Sequence, residues 1–386
     1  MSFTGKATYS AGSALPEIAE DVSDLVAINS PFETPLLDAL GDPPRAAHST
    51  IHEWLEDALL PNTDAVNDAT FADPAADTAF VVHNAARFRA GDQVRLGETG
   101  EVVLVTAVNT GTGALTVVRG YGGSTPAALS DDLPLHILGN AALEGDDAAA
   151  ARFSNRSRKT NHTQIFSATV EVSGSELAVN KIGIGDELDY AKQQRLRELM
   201  RDLENSVING RAPAANPVGS ATVRRTMRGI AASLATNLFV VGEDSFPADA
   251  DLTEAQLNLA LRQIWNGSAG RVDLIVVGGR QKRAINAFIE SSRRFYSPDD
   301  DRFKENIAVY ESDFGVCKVV LSRWVRPDTV LLLDSTRVDI LPLAGRSFQY
   351  KPLARTGDRE SGQLVGEYTL ELRNENAHGL IRGLSA

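Results

Sequence analysis

The sequence predicts an α+β protein organised around one long helix, with a small all-β module inserted early in the chain. Three observations carry this. Residues 185–210, GDELDYAKQQRLRELMRDLENSVING, hold one unbroken helical pattern dense in both signs of charge. Residues 78–140 hold five short apolar runs divided by glycine-rich turns. Beyond residue 235, buried-strand runs alternate with helical patterns.

Residues 1–48 do not read as a compact domain. Ile18, Val22 and Leu25 in PEIAEDVSDLVAI have helical spacing, and TPLLDALG places Thr34 as N-cap, Pro35 in the first turn and Gly41 past the last. Two small helices on a proline-punctuated tether bury little alone, so they should lie on another surface. STIHEWLED (49–57) reads as a strand with Ile51, Glu53 and Leu55 on one side. The five following runs are TAFVVH, DQVRLG, EVVLVTAV, ALTVVRG and LPLHILG, separated by GETGE, NTGTG and GYGGS. Strands that short and regular suggest a small barrel or sandwich, and acidic, alanine-rich linkers on both sides suit an insertion.

In NHTQIFSATVEVSG (161–174), Phe166, Ala168, Val170 and Val172 alternate with polar residues, as in a half-buried strand. Its expected partner is the strand at 49–57, which would make a long hairpin with the β-module at its tip. Residues 148–170 contain no acid but carry Arg152, Arg156, Arg158 and Lys159. In so acidic a chain, a basic loop asks for an acidic partner.

On the long helix, Leu196, Leu199, Met200, Leu203 and Val207 mark a buried stripe. Arg195, Glu198, Arg201 and Glu204 alternate in sign three apart, as on an exposed face. At about 1.5 Å per residue the rod is on the order of 38 Å long. After RAPAANPVG come a helix capped by Thr253 and stopped at Gly267, a buried strand RVDLIVVGG, and a helix RQKRAINAFIESS. A hairpin turning at Asp313, Phe314 and Gly315, strands within TVLLLDSTRVDIL, and a closing alternating strand GEYTLELRNENAHGLIRGL complete the chain.

Composition excludes several classes. The 51 acidic and 38 basic residues leave a net charge of -13, which disfavours a protein that grips nucleic acid over its whole surface. The single cysteine, Cys317, rules out a disulfide framework and reads as a packing residue. No signal peptide opens the chain and no apolar run is long enough to span a membrane, so the expectation is cytoplasmic production. The histidines at 48, 52, 83, 136, 162 and 378 have no helical metal spacing, and no GxSxG elbow occurs. VVGGRQKR lacks the spacing of a phosphate loop and reads as a tight strand-to-helix turn. SPDDDRF (297–303) reads as a solvated loop. No catalytic, cofactor or metal residues are assigned, and no enzyme is expected.

Several stretches in this order carry a family resemblance: PFETPLLDALG, HEWLEDAL, NHTQIFSATVEVSG, DELDYAKQQRLRELMRDLENSVINGR and ENAHGLIRGL. Over nearly its whole length the chain resembles the major capsid protein of tailed phages and related archaeal viruses, with the Hong Kong 97-type fold. The resemblance implies an N-terminal arm at 1–48, an extended loop at 49–76 and 146–175, and an extra β-domain at 77–145 on the outer surface. It further implies a peripheral domain at 176–234 and 341–386 with the spine helix at 185–210, and an axial domain at 235–340. The implied function is a subunit that self-assembles into hexamers and pentamers of an icosahedral virion shell around double-stranded DNA, touched only non-specifically. Implied partners are further copies, a separate scaffolding protein, a portal and possible decoration proteins. The covalent Lys–Asn cross-link of some relatives cannot be placed on this sequence. Expected contacts between copies are Trp54, Arg152, Arg156, Arg158, Lys159, Phe166, Glu198 and Arg201. The alternatives are an encapsulin-like compartment shell and, from another class, an enzyme on the α/β segment with a ligand at Gly278 and Gly279.

Overall fold

The computed structural model describes residues 32–43, 45–97, 99–145, 151–179, 186–243, 246–292, 309–354 and 357–386. The helix expected at 16–28 and the acidic loop at 297–303 lie outside the described residues. Two compact units emerge: Leu55–Ser157, and the remainder, residues 1–54 and 158–386.

In the larger unit, α1 (Pro35–Leu40) precedes β1 (Ile51–Glu56), which pairs with β8 (Ser157–His162). The hairpin expectation needs correction. The strand β9 (Gln164–Ser173) does not pair with β1. It runs antiparallel along β17 (Arg359–Leu372), from Gln164 opposite Tyr368 to Ser173 opposite Arg359. Burial decides this. Phe166, Val170 and Val172 need an apolar cover, whereas the polar SRKTNH of β8 suits an exposed two-stranded stem. On its other edge β17 pairs with β15 (Val338–Pro342) and β16 (Gln349–Pro352).

The cover for β9 is the long helix, α3 (Glu187–Asn209). Its first turn is capped by the Asp186 carboxylate, which accepts from the Leu188 and Asp189 amides. Leu199, Leu203, Val207 and Ile208 pack with Phe166, Val170, Leu364 and Leu370 in one core. Leu196, expected in that stripe, is 37% exposed at its margin. The helix stops where the chain crosses itself. A Cβ on Gly210 would lie 2.3 Å from the Ser206 carbonyl oxygen, and Gly229 donates its amide to the Gly210 carbonyl at 2.9 Å. Short helices α2 (Gly174–Ala178) and α4 (Ile230–Ser233) flank α3 in sequence.

The α/β segment forms a six-stranded mixed sheet. Its strands are β10 (Leu238–Val240), β11 (Leu274–Val277), β12 (Val309–Ser312), β13 (Gly315–Leu321), β14 (Thr329–Leu333) and β18 (Gly379–Arg382). Their spatial order is β10-β18-β14-β11-β13-β12. Both faces are covered, which explains the continuous apolar runs. Leu274, Val276, Leu331 and Leu333 join the core under α3. Ile275, Val277, Val330 and Leu332 join a second core with α5 (Glu254–Gly267) and α6 (Gly279–Ser292). Cys317 is buried there, its Sγ 3.2 Å from the Val272 carbonyl oxygen. Strand β18 differs from the sequence expectation: the C-terminal segment leaves the sheet of β17 and inserts between β10 and β14. Residues 341–386 therefore serve both sheets.

The smaller unit is a barrel of six strands. The five expected ones are β3 (Ala79–Val81), β4 (Asp92–Leu96), β5 (Val102–Asn109), β6 (Ala114–Val118) and β7 (Pro134–Asn140). A sixth, β2 (Thr63–Ala65), pairs with β7, so the unit begins before residue 77. The order is β2-β7-β4-β5-β6-β3, and an antiparallel bridge from Val66 to Val82 closes the ring. Phe80, Leu96, Val103, Leu115 and Leu135 fill it. Beneath them Arg119 and Glu101 form a buried bidentate pair at 2.7 and 2.8 Å. Glu101 also accepts from the Gly120 and Ala127 amides, and Arg119 donates to the Asp77 carbonyl, so one ion pair ties three loops together.

Candidate assembly surfaces

Among the described residues no feature resembles a reaction centre. Among the described residues no cluster of histidine, cysteine and carboxylates could hold a metal, and no helix is long and apolar enough to cross a membrane. The surfaces that can do something are the stem, the basic loop and the seams that anchor them.

The basic loop finds acids within its own chain. The Arg158 guanidinium lies 3.5 Å from Glu53, and Arg156 lies 3.7 Å from Asp57. Both arginine side chains stay about 70% exposed, so these pairs hold little energy and leave the cations presentable. Arg152 donates to the carbonyls of Ala86 and Arg87. Lys159 faces Glu375. Burial pushes that carboxyl up, but hydrogen bonds from Thr236 and the Ala235 amide, with the Lys159 charge beside them, bring it below the usual carboxylate range.

Other expected contact residues fall differently. Trp54 is half-buried with its ring 5.9 Å from that of His52. Phe166 requires correction: it is 5% exposed and packs edge-on against Phe348, so the chain's own core claims it. Glu198 pairs with Arg195 at 2.5 Å, and Arg201 lies 3.4 Å from Asp202, on the outer side of α3.

Two sets of functional residues escaped sequence reasoning. The first is a polar seam on β17. Glu367, Thr369 and Glu371 share one face of that strand and are all buried. Glu371 binds His52 at 2.5 Å and Arg45 at 2.6 Å, while Glu367 binds Thr163, Arg225 and Arg346 at 2.6 to 2.8 Å. Thr369 donates to the His162 carbonyl. Burial alone would raise the Glu371 carboxyl, yet the bonds from His52 and Arg45 hold it below its ordinary value. The seam clamps the root of the stem. Its only signal was two acids four apart, Glu367 and Glu371, flanking Thr369 on one face of the strand.

The second is Glu204, read from sequence as part of the exposed charge series. It is fully buried. Its carboxylate accepts from the Leu36 and Leu37 amides at 3.2 and 3.4 Å and from Ser322 Oγ at 3.0 Å. The Thr34 side chain makes no capping bond, so Glu204 caps the arm helix α1 from across the fold. Burial pushes its carboxyl up to about 7, against the three hydrogen bonds and with the help of Asp38.

A long helix pinned along one stripe, a polar two-stranded ladder and a short helix α1 capped by a distant carboxylate are structural features, not catalytic ones. The family description "SU10 major capsid protein" matches residues 3–385. The chain belongs to that family. As a major capsid protein it is a structural component of a virion and assembles with copies of itself. Solved structures agree on the fold. The capsid of cyanophage A-1(L) is 11% identical, with 96% of this chain and 98% of that one covered at a TM-score of 0.55. The capsid of a native GTA particle is 12% identical, covering 99% and 100%, at 0.53. The structure of Gordonia phage Cozz is 11% identical, covering 100% and 99%, at 0.52. The holo-SrpI encapsulin complex of Synechococcus elongatus PCC 7942 is 13% identical, with 60% of this chain and 78% of that one covered, at 0.42. A search of curated proteins finds no match. In this member of the family the barrel strands lie between β1 and β8 in sequence.

Proposed function

We propose that the chain forms the hexamers and pentamers of an icosahedral shell enclosing double-stranded DNA, assembled in the host cytoplasm and without enzymatic activity. In this reading residues 1–48 are the arm, and 49–76 with 146–175 form the extended loop over a neighbouring subunit. Residues 77–145 face outward, residues 176–234 and 341–386 make the peripheral domain, and 235–340 meet their copies around five-fold and six-fold axes. A separate scaffolding protein, a portal and decoration proteins are its expected partners. Trp54, Arg152, Arg156, Arg158, Lys159, Glu198 and Arg201 are the proposed contacts.

The observation that supports this most is family membership from residue 3 to residue 385. Exposed apolar side chains point the same way: Leu59 is 95% and Phe153 80% exposed, surface that a neighbouring copy would bury. Purified full-length chain should give closed particles by negative-stain microscopy and a concentration-dependent mass by light scattering. A monomer at every concentration would overturn the proposal. Particles that retain enzyme cargo and no nucleic acid would favour the compartment reading.

A further inference from the structure

Residues 205–242 contain no acid and four arginines, Arg211, Arg224, Arg225 and Arg228, in a chain of net charge -13. The fold gathers them after α3. Thr226 Oγ1 donates to the Arg211 carbonyl at 2.7 Å, and Gly229 to that of Gly210, so the loop returns alongside the chain that started it. Two open grooves flank this ribbon. One, of about 380 Å³, takes Arg211, Arg326 and Arg382 into its wall, with Asn209, Thr329 and a single acid, Asp328. The other, of about 840 Å³, is walled by Arg224 and Arg225 with small residues at 219–222.

Only two of these cations are spent internally. Arg225 pairs with buried Glu367, and Arg326 with Asp328 at 2.9 Å. Among the described residues no side chain pairs with the guanidinium of Arg211, Arg224, Arg228 or Arg382, and all four residues are exposed. The charge of Arg228 is felt nearby: burial first, then Arg225 and Arg228, lower the His162 pKa. Four uncompensated guanidinium forks, three lining these two grooves and the fourth, Arg228, on the same acid-free stretch, fit a polyanion. Phosphate is the group they bind in two-point fashion. Neither groove has an aromatic side chain in its lining, so neither can stack an unpaired base. That leaves the backbone of a duplex, bound without regard to sequence.

We propose that Arg211, Arg224, Arg228 and Arg382 form the surface that docks the phosphate backbone of double-stranded DNA, the side of the subunit turned toward the packaged genome. This rests on the reading of the chain as a DNA-enclosing shell subunit. These arginines concentrate attraction locally while the net negative charge of the remaining chain repels DNA. Contact is therefore local and salt-labile, and a packed duplex can slide over it.

The test uses the full chain, held dilute enough to stay unassembled, and a fluorescent random-sequence duplex read by anisotropy across a salt series. Replacing Arg211, Arg224, Arg228 and Arg382 by Gln should weaken binding at least ~10-fold at 50 mM salt. It should also flatten the log–log salt slope by as much as about 3.6, at roughly 0.9 per phosphate contact. The control R262Q/R283Q, on the exposed faces of α5 and α6, should leave the slope unchanged. Particle formation by the same variants, scored by microscopy, separates this inference from the reading beneath it. Loss of DNA binding with normal particles supports the inference. Unchanged DNA binding overturns it, and if particles then fail, the arginines seat an acidic segment of another copy instead. A control that lowers binding equally per charge also overturns it, because net charge alone would then explain the attraction. Failure of the wild-type chain to form particles would sink the shell reading, not the DNA surface.

Discussion

Replacing Glu204 by Gln should make the protein more stable as pH rises, relative to the native chain. The carboxyl has no solvent contact and joins α3, the arm helix and the turn after β13. The charged group that acts on it is Asp38 on α1; the Glu33–Arg323 pair at 3.4 Å and the Arg201–Asp202 pair at 3.4 Å satisfy each other. Its folded pKa of about 7 lies above the ordinary value of 4.5. For a raised pKa, the stabilising contribution is complete below the unfolded value and is lost as pH climbs through the folded one. The gap of about 2.5 pH units corresponds to about 3 kcal/mol at 1.36 kcal/mol per unit. A glutamine keeps an acceptor oxygen for the Leu36 and Leu37 amides but has no proton to lose. Urea unfolding of the unassembled chain at pH 5, 6, 7 and 8 measures both proteins. Subtraction cancels every other titrating group. The difference should grow in favour of E204Q by about 2 to 3 kcal/mol from pH 5 to pH 8, since pH 5 already lies above the unfolded value. A constant difference, or one that shrinks with pH, would refute a neutral buried carboxyl at the arm junction.

Three more outcomes follow from the same structure. The double reversal R156E/R158E places like charges opposite Asp57 and Glu53. Each lost surface pair is worth under about 1 kcal/mol, so the monomer should stay folded by circular dichroism while particle yield collapses. E101Q strands the Arg119 guanidinium inside the barrel and should cost about 3 kcal/mol, seen in the full chain as early loss of amide protection within β5 and β6. E371Q should cost a similar about 3 kcal/mol near neutral pH. Because the folded carboxyl titrates below its ordinary value, the native advantage should vanish as pH falls through that lowered value in acid denaturation.

Local patterns in the sequence settled local structure. Asp186, the stripe through Leu199, Leu203 and Val207, and the crossing glycine Gly210 define a helix from neighbours within a few turns. Thr253 caps its helix as expected, and Gln256 closes the reciprocal capping box with it. The five apolar runs became five barrel strands because period-two burial reads directly from composition. The short strand β2 escaped because three residues, TDA, carry no periodicity; only its partner β7 makes it a strand.

What the tertiary structure alone decided is which distant surfaces meet. An acid three positions from its neighbour on a helix looks the same whether water or a folded segment covers it, so Glu204 could not be told from Glu198 by spacing. Strand β9 had two chemically acceptable partners, and the choice of β17 over β1 depended on where α3 lay to cover Phe166 and Val170. Strand β18 joined the central sheet because β10 and β14 left an edge between them, a vacancy no local pattern encodes. Side-chain chemistry and short-range geometry are written in order along the chain. Long-range pairing is a competition among burial energies, and its winner appears only once every surface is in place.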